Sequence, residues 1–177
     1  MVLCSRERYG DVMLVKFVQD EDFVNYKKPS MFIGFPNCSF KCEKECGKKM
    51  CQNSKLATSP SIEVSYESIV ERYLNNDITK AIVIGGLEPF DDFVQLFDLI
   101  GAFRRKTPDD IVIYTGYYPE EIPLKIYHIK SCYSNIIIKF GRYIPDKESI
   151  HDEILGVDLA SSNQYAMRIN YDDKTES

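Results

Sequence analysis

The chain has 177 residues, 44% of them hydrophobic, and its 22 Lys and Arg against 27 Asp and Glu give a net charge of −5. This length and hydrophobic content suit one packed domain over residues 1–177 and exclude global disorder. The acidic balance argues against a nucleic-acid partner, which needs clustered cations. No apolar run reaches the roughly 20 residues of a membrane helix, and residues 1–10 lack the apolar core of a secretory signal. We therefore expect a cytoplasmic protein with no membrane partner.

Strands and helices are predicted to alternate along the chain. Residues 12–18 and Ser30–Phe35 have strand composition, and short apolar runs predict buried strands over residues 81–84, 111–114 and 135–139, with a last strand over 166–170. Ser65 is expected to cap a helix over residues 66–75 that buries Ile69, Val70, Tyr73 and Leu74. A further helix is predicted over residues 91–105, residues 119–122 are predicted to open a short helix, and residues 172–177 form a polar tail. The order predicts an α/β fold with a mostly parallel sheet.

Unusual residues follow four of these predicted strands. They are the cysteines after Phe35, Gly85-Gly86 after Ile84, Thr115-Gly116 after Tyr114, and Gly141 after Lys139. Because ligands bind at the carboxyl ends of parallel strands, the four loops are expected to form one site.

The cysteines are the main candidates for metal binding. Six occur in the chain, and four of them, Cys38, Cys42, Cys46 and Cys51, lie in one short window. Such clustering without a secretory signal indicates a metal site rather than disulfides. Zinc could bind four thiolates, but no two of these cysteines have the two-residue gap that is usual in structural zinc sites. An iron–sulfur cluster could use three thiolates and leave one iron open for a small molecule. Both metals, and thiols that bind no metal, stay open at this point.

Three further motifs make a family resemblance specific. Cys38 and Cys42 have a three-residue gap, and the sequence Gly85-Gly86-Leu87-Glu88-Pro89-Phe90 follows an apolar strand. Ile113-Tyr114-Thr115-Gly116-Tyr117 ends the next strand, and Ser162-Asn163-Gln164 lies near the C-terminus. Together they resemble the radical S-adenosylmethionine superfamily, and more narrowly the activating proteins of anaerobic ribonucleotide reductase. The resemblance spans residues 30–164.

The third cysteine departs from that family's pattern. The usual spacing would place it at position 45, which is Glu here, so Cys46 or Cys51 has to take its place. The family's third cysteine commonly follows a large apolar residue near the adenine and precedes an Asn. Met50 and Asn53 therefore favour Cys51, with residues 43–50 as an insertion.

The resemblance implies a fold, two cofactors and a set of ligands. The fold would be a partial (β/α) barrel of mostly parallel strands, and Cys38, Cys42 and Cys51 would hold a 4Fe-4S cluster. S-adenosylmethionine would lie against the cluster, and the residues implied to contact it are Met50, Gly85, Gly86, Glu88, Pro89, Thr115, Gly116, Asn163 and Gln164. No catalytic side chain beyond the cluster is implied. Each motif also has a plain structural interpretation: Glu88-Pro89 can start a helix, Thr115-Gly116 can be a simple turn, and Asn163-Gln164 a polar surface turn.

The implied activity is that of an anaerobic oxidoreductase. A low-potential donor would reduce the cluster, S-adenosylmethionine would be cleaved to a 5′-deoxyadenosyl radical, and a glycine of a partner, such as anaerobic ribonucleotide reductase, would become a glycyl radical. Two alternatives stay open. One is a radical enzyme that modifies another peptide or a small molecule, and the other is a non-catalytic zinc or electron-transfer module, for which the Gly85–Pro89 motif has no purpose.

Overall fold

The computed structural model describes residues 11–47, 49, 51 and 53–169. Met50 and the predicted polar tail lie outside these residues. The described strands are β1 (Val12–Val15), β2 (Phe17–Asp22), β3 (Ser30–Phe35), β4 (Ile62–Ser65), β5 (Ala81–Gly86), β6 (Asp110–Tyr114), β7 (Ile136–Phe140), β8 (Ile150–Asp152), β9 (Val157–Leu159) and β10 (Tyr165–Ile169). The helices are α1 (Lys41–Cys46), α2 (Ser54–Thr58), α3 (Tyr66–Leu74), α4 (Phe93–Arg104) and α5 (Pro123–Cys132), with 3-10 turns over Pro89–Asp92 and Pro119–Glu121.

Six strands form the central sheet, in the order β10-β7-β6-β5-β3-β2. The four inner strands, β3, β5, β6 and β7, are mutually parallel, while β2 and β10 pair antiparallel at the two edges. Within the described residues the sheet is therefore open, mixed and mostly parallel. Its equivalence to part of a barrel stays a prediction. The parallel pairing brings the ends of β3, β5, β6 and β7 to one edge.

Two apolar clusters cover the two faces of this sheet. The larger one joins Ile82, Ile84, Ile111 and Ile113 to α3 and α4. The smaller one packs Val83, Val112 and Ile137 against Tyr26, Leu155 and Leu159, which belong to loops and to the β8–β9 hairpin. Alternate residues of the buried strands thus serve opposite faces, which is why these strands are apolar throughout. Burial of each of these aliphatic side chains stabilises the folded state by about 1.5–3 kcal/mol.

Helix α3 begins as predicted, because the Ser65 hydroxyl accepts a hydrogen bond from the Ser68 N–H at 3.0 Å. Ile69, Val70 and Tyr73 are buried, but the prediction that Leu74 is buried is wrong. Leu74 is the last residue of α3 and is 47% exposed.

One predicted strand is divided in two. Residues 12–18 form β1 and the start of β2, separated at Lys16. The strand is divided because the chain changes its partner at Lys16: β1 pairs with β4, and β2 pairs with β3. The Lys16 N–H donates to the carbonyl of Gly34 in β3. The predicted helix over 91–105 begins as a 3-10 turn. The helix predicted to open over 119–122 also begins as a 3-10 turn, and it continues after Ile122 as α5.

A cluster of ion pairs lies at the end of the sheet where β6 begins, away from the carboxyl ends of the parallel strands. Asp110, at the start of β6, accepts hydrogen bonds from Tyr26 Oη at 2.9 Å, Lys28 Nζ at 2.7 Å and Arg168 Nη1 at 2.9 Å. Burial by itself would raise the pKa of Asp110, but these donors outweigh it and lower the pKa to about 2. The cluster therefore links β6, β10 and the loop after β2. Among the helices described, none is long and apolar enough to cross a bilayer.

Candidate metal centre

A cavity of about 460 Å³ opens at the carboxyl edge of the parallel strands. Residues that follow each of the four inner strands line it: Cys38 after β3, Gly86, Leu87 and Glu88 at the end of β5, Thr115 and Gly116 after β6, and Gly141 and Arg142 after β7. The four loops therefore border one cavity, and its use as a ligand site stays a prediction. The cavity is within the range of small-molecule sites.

Three cysteines reach this cavity from one segment of the chain. Cys38 lies in the loop after β3, Cys42 lies in α1, and Cys51 lies between α1 and α2. All three are free and half-buried. Phe40, with φ 53°, turns the chain into α1, and its N–H donates to Cys38 Sγ at 3.2 Å. Cys46 is the last residue of α1.

The surroundings of Cys38 and Cys42 disfavour an unbound thiolate at these two positions. Burial raises the pKa of the Cys38 thiol to about 11, and the nearby Glu88 carboxylate adds to the effect. Burial, followed by the proximity of Cys51, raises the pKa of Cys42. Because a metal takes the thiolate form, binding here has to displace protons.

The donor set fits an iron–sulfur cluster. Clusters of this kind are held by Cys thiolates, each on a separate iron, so the thiols need not converge on one point. Within the described residues, no three His, Cys, Asp or Glu side chains converge closely enough to hold a single metal ion. There is room for a cluster beside the cysteines, since the cavity extends from the three thiols to Gly86 and Gly141.

Glu88 is the most constrained polar side chain of the site and is only 7% exposed. Its Oε1 accepts from Thr115 Oγ1 at 2.7 Å and from the Phe90 N–H at 3.1 Å, and its Oε2 accepts from the Gly116 N–H at 2.8 Å. Burial raises the pKa of Glu88 to about 7 although these donors oppose the shift. Glu88 thus caps the 3-10 turn and also faces the cavity. The interpretation of Glu88-Pro89 as the start of a turn is confirmed, and contact of Glu88 with a cofactor stays a prediction.

Gly85, Gly86 and Pro89 have different roles from one another. Gly86 lines the cavity, and its carbonyl accepts from Asn53 Nδ2 at 2.6 Å, which fastens the segment after Cys51 to β5. Gly85 and Pro89 are not among the residues that line the cavity. Gly85 instead allows close packing, since a Cβ there would lie 3.2 Å from Phe32 and 3.3 Å from Tyr114.

Asn163 and Gln164, the two predicted contacts in the Ser-Asn-Gln element, have different surroundings. Gln164 lines the cavity and donates through Nε2 to the Gly141 carbonyl at 3.2 Å. Asn163 is not among the lining residues, and its Nδ2 donates to the Arg142 carbonyl at 2.7 Å and to Tyr118 Oη at 3.0 Å. Asn163 therefore supports the turn after β7 from behind.

Two buried cations of the cavity were not predicted from the sequence. Lys139 is 7% exposed, and its Nζ donates to the Gly141 carbonyl at 2.9 Å. Burial lowers the pKa of Lys139 to about 8. Arg142 lines the cavity beside Cys38 and Cys42. A signal for Lys139 existed, because a lone Lys at the end of an otherwise apolar buried strand requires a specific partner or ligand.

Comparison with known protein families decides the class of metal. The family model of the 4Fe-4S single cluster domain matches residues 30–165, which include all three cavity cysteines and all four inner strands. The chain belongs to this family. It is thus an iron–sulfur protein, and the family is compatible with an oxidoreductase. No curated protein and no solved structure matches the chain.

Proposed function

We propose that this 4Fe-4S domain reductively cleaves S-adenosylmethionine, and that it does so to install a glycyl radical on a partner enzyme such as anaerobic ribonucleotide reductase. In this proposal Cys38, Cys42 and Cys51 hold the cluster, and one iron stays free of protein ligands. When bound, the cluster supplies one electron to the sulfonium, whose cleavage gives methionine and a 5′-deoxyadenosyl radical that takes a hydrogen atom from the partner's glycine. A low-potential donor restores the electron.

The pairing of opposite buried charges in the cysteine-lined cavity carries this proposal. The amino-acid end of S-adenosylmethionine has one ammonium and one carboxylate. The cavity offers the buried Glu88 carboxylate and the buried Lys139 ammonium in reach of the same space as the three thiols. Buried charges are retained where a ligand or partner compensates them. An electron carrier would have no use for this pair.

Other residues of the chain would orient the ligand and exclude water. Gly86 has no Cβ, so its backbone can approach the ligand closely. Thr115 and Gly116 line the cavity and hold Glu88 in place through their hydrogen bonds. Gln164 borders the same space from the C-terminal side. In this proposal the open sheet is the partial barrel of the superfamily, whose unclosed side admits the backbone of a protein substrate.

Product analysis tests the activity. The protein is reconstituted with iron and sulfide without oxygen, reduced, and given S-adenosylmethionine. We expect 5′-deoxyadenosine and methionine in equal amounts, and a glycyl radical signal when the partner is present. A reduced, cluster-loaded protein that forms no 5′-deoxyadenosine would contradict the proposal, as would zinc bound in place of iron.

A matched pair of variants tests the third ligand. Cys51 lines the cavity, whereas the alternative, Cys46, ends α1 five residues earlier. We expect Cys51→Ala to lose the cluster absorbance and most of its iron, and Cys46→Ala to retain both. Loss of the cluster in Cys46→Ala alone would assign the third ligand to Cys46 instead.

A further inference from the structure

The helix that carries Cys42 is fastened to the sheet by a group of charged side chains. Glu121 Oε1 accepts from Lys41 Nζ, and also from Arg142 Nη2 at 2.6 Å. Glu121 Oε2 accepts from the Tyr118 N–H at 2.8 Å. Burial alone would raise the pKa of Glu121, but the Arg142 and Lys41 donors lower it to about 2. Glu121 is therefore a fixed anion in the 3-10 turn after β6, and it binds this turn to Lys41 of α1.

Arg142 completes this group from the turn after β7. Its Nε lies 3.1 Å from Glu45 Oε2 on α1, so one guanidinium holds carboxylates of two elements. The Arg142 side chain is only 8% exposed, whereas that of Glu45 is 48% exposed. A planar guanidinium can bind two carboxylates at once, and a lysine cannot reproduce that geometry.

The backbone and the ring that hold Arg142 are themselves supported. The Tyr118 ring lies under the guanidinium at 5.3 Å, and Asn163 Nδ2 donates both to Tyr118 Oη and to the Arg142 carbonyl. Arg142 also lines a small cavity of about 40 Å³ together with Cys38 and Cys42. A buried, permanently charged group thus adjoins two of the three thiols.

We infer that Arg142 is a positioning residue of the cluster site. It fixes α1 and places a permanent positive charge beside Cys38 and Cys42, which would raise the reduction potential of a cluster held there. The potential of such clusters depends on the net charge and hydrogen bonds around them. Asn163 then acts through Arg142 rather than on the ligand. The inference rests on the proposed ligands Cys38 and Cys42, but not on the cleavage of S-adenosylmethionine.

The test is a redox titration of the reconstituted protein without S-adenosylmethionine, combined with the rate at which a chelator removes iron. We expect Arg142→Gln to lower the midpoint potential and to speed iron loss. Arg142→Lys keeps the charge and is expected to restore the potential, while iron loss stays fast because one ammonium cannot grip both carboxylates. Arg72→Gln is the control, since Arg72 pairs with Asp20 on the surface and does not line the cavity.

Glu121→Gln provides a second, independent measurement. It removes a negative charge and leaves Arg142 in place, so the potential is expected to rise, opposite to the effect of Arg142→Gln. Equal potentials in Arg142→Gln and Arg72→Gln would overturn the inference. If Arg142→Gln does not fold, an unchanged or lowered reduction potential in Glu121→Gln would overturn the inference.

An assay of 5′-deoxyadenosine on the same samples separates the two proposals. Opposite potential shifts without any product would reject the proposed function alone. Product formation with potentials that do not move would reject the role of Arg142 alone.

Discussion

Gly86 occupies a position that no other residue can fill without strain. Its φ is +83°, and a Cβ there would lie 2.9 Å from Gly34 Cα and 3.2 Å from the Phe35 nitrogen, both backbone atoms of β3. Gly86→Ala therefore has to separate β5 from β3 at the edge that bears the cavity. Gly47 also has a positive φ, +63°, but a Cβ there would meet nothing within 4 Å.

This pair gives a matched prediction. Gly47→Ala is expected to lower the free energy of unfolding by about 1 kcal/mol, the conformational penalty of a left-handed residue. Gly86→Ala adds the clash and is expected to lower it by at least about 2 kcal/mol. Urea unfolding of the metal-free protein measures both. Equal losses would show that the approach of β3 to β5 is not restrictive.

Elements differ in how much of their placement the sequence predicts. Strands β5, β6 and β7 were predicted because they are continuous apolar runs, and α3 because Ser65 marks its start. The start of a helix near 119–122 is predicted, but the extent of α5 is not, because Ile129 is its only buried residue and its periodicity is weak. Strands β8 and β9 have three residues each, which is too few to show an alternation of apolar and polar residues.

The sequence predicts which loops line the site, but it does not predict the ion pairs between them. The cysteines and Gly85–Pro89 are local motifs, and parallel strand order brings them together. The bonds of Arg142 to Glu121 and Glu45 instead join residues 21 or more positions apart. No local pattern encodes such pairs, because they arise only when the turns after β6 and β7 meet α1.

The Asp110 carboxylate joins three parts of the fold: β6, β10 and the loop after β2. Its pKa is about 2 in the folded protein and about 3.9 in an unfolded chain, so the ionised form stabilises the fold. This stability is present above about pH 4 and is lost as the pH falls toward 2. Lys28 and Arg168 are partly exposed, so we expect Asp110→Asn to lose only about 1–2 kcal/mol at pH 7.

Urea unfolding at pH 7 and at pH 2.5 measures this effect. The difference between wild type and Asp110→Asn is expected to shrink at pH 2.5, because Asp110 is protonated in the unfolded wild type at that pH and folding then has to release this proton. Asp20→Asn, which breaks the exposed pair with Arg72, is the control and should change stability by less than about 1 kcal/mol at either pH. A difference for Asp110→Asn that does not depend on pH would contradict the role of its charge.

At the scale of the whole molecule, the buried ammonium of Lys139 in the cavity opposes folding. Lys139 is surrounded by protein, and the pKa of its ammonium falls to about 8 because burial disfavours the charge, against about 10.4 in an unfolded chain. Folding is therefore opposed by this group below pH 8, and the opposition is relieved as the pH rises from 8 toward 10. Lys139→Met keeps the length of the side chain and removes the charge.

We expect Lys139→Met to be more stable than wild type by about 2 kcal/mol at pH 7, with a gain that declines above pH 8. Comparing the two proteins at each pH removes the contribution of the tyrosines, which is common to both. Under the proposed function, the same variant should bind S-adenosylmethionine more weakly in equilibrium dialysis. A gain in stability together with a loss of binding would show that the fold retains Lys139 for its ligand. A loss of stability at pH 7 would instead make the bond from Lys139 to the Gly141 carbonyl a structural necessity.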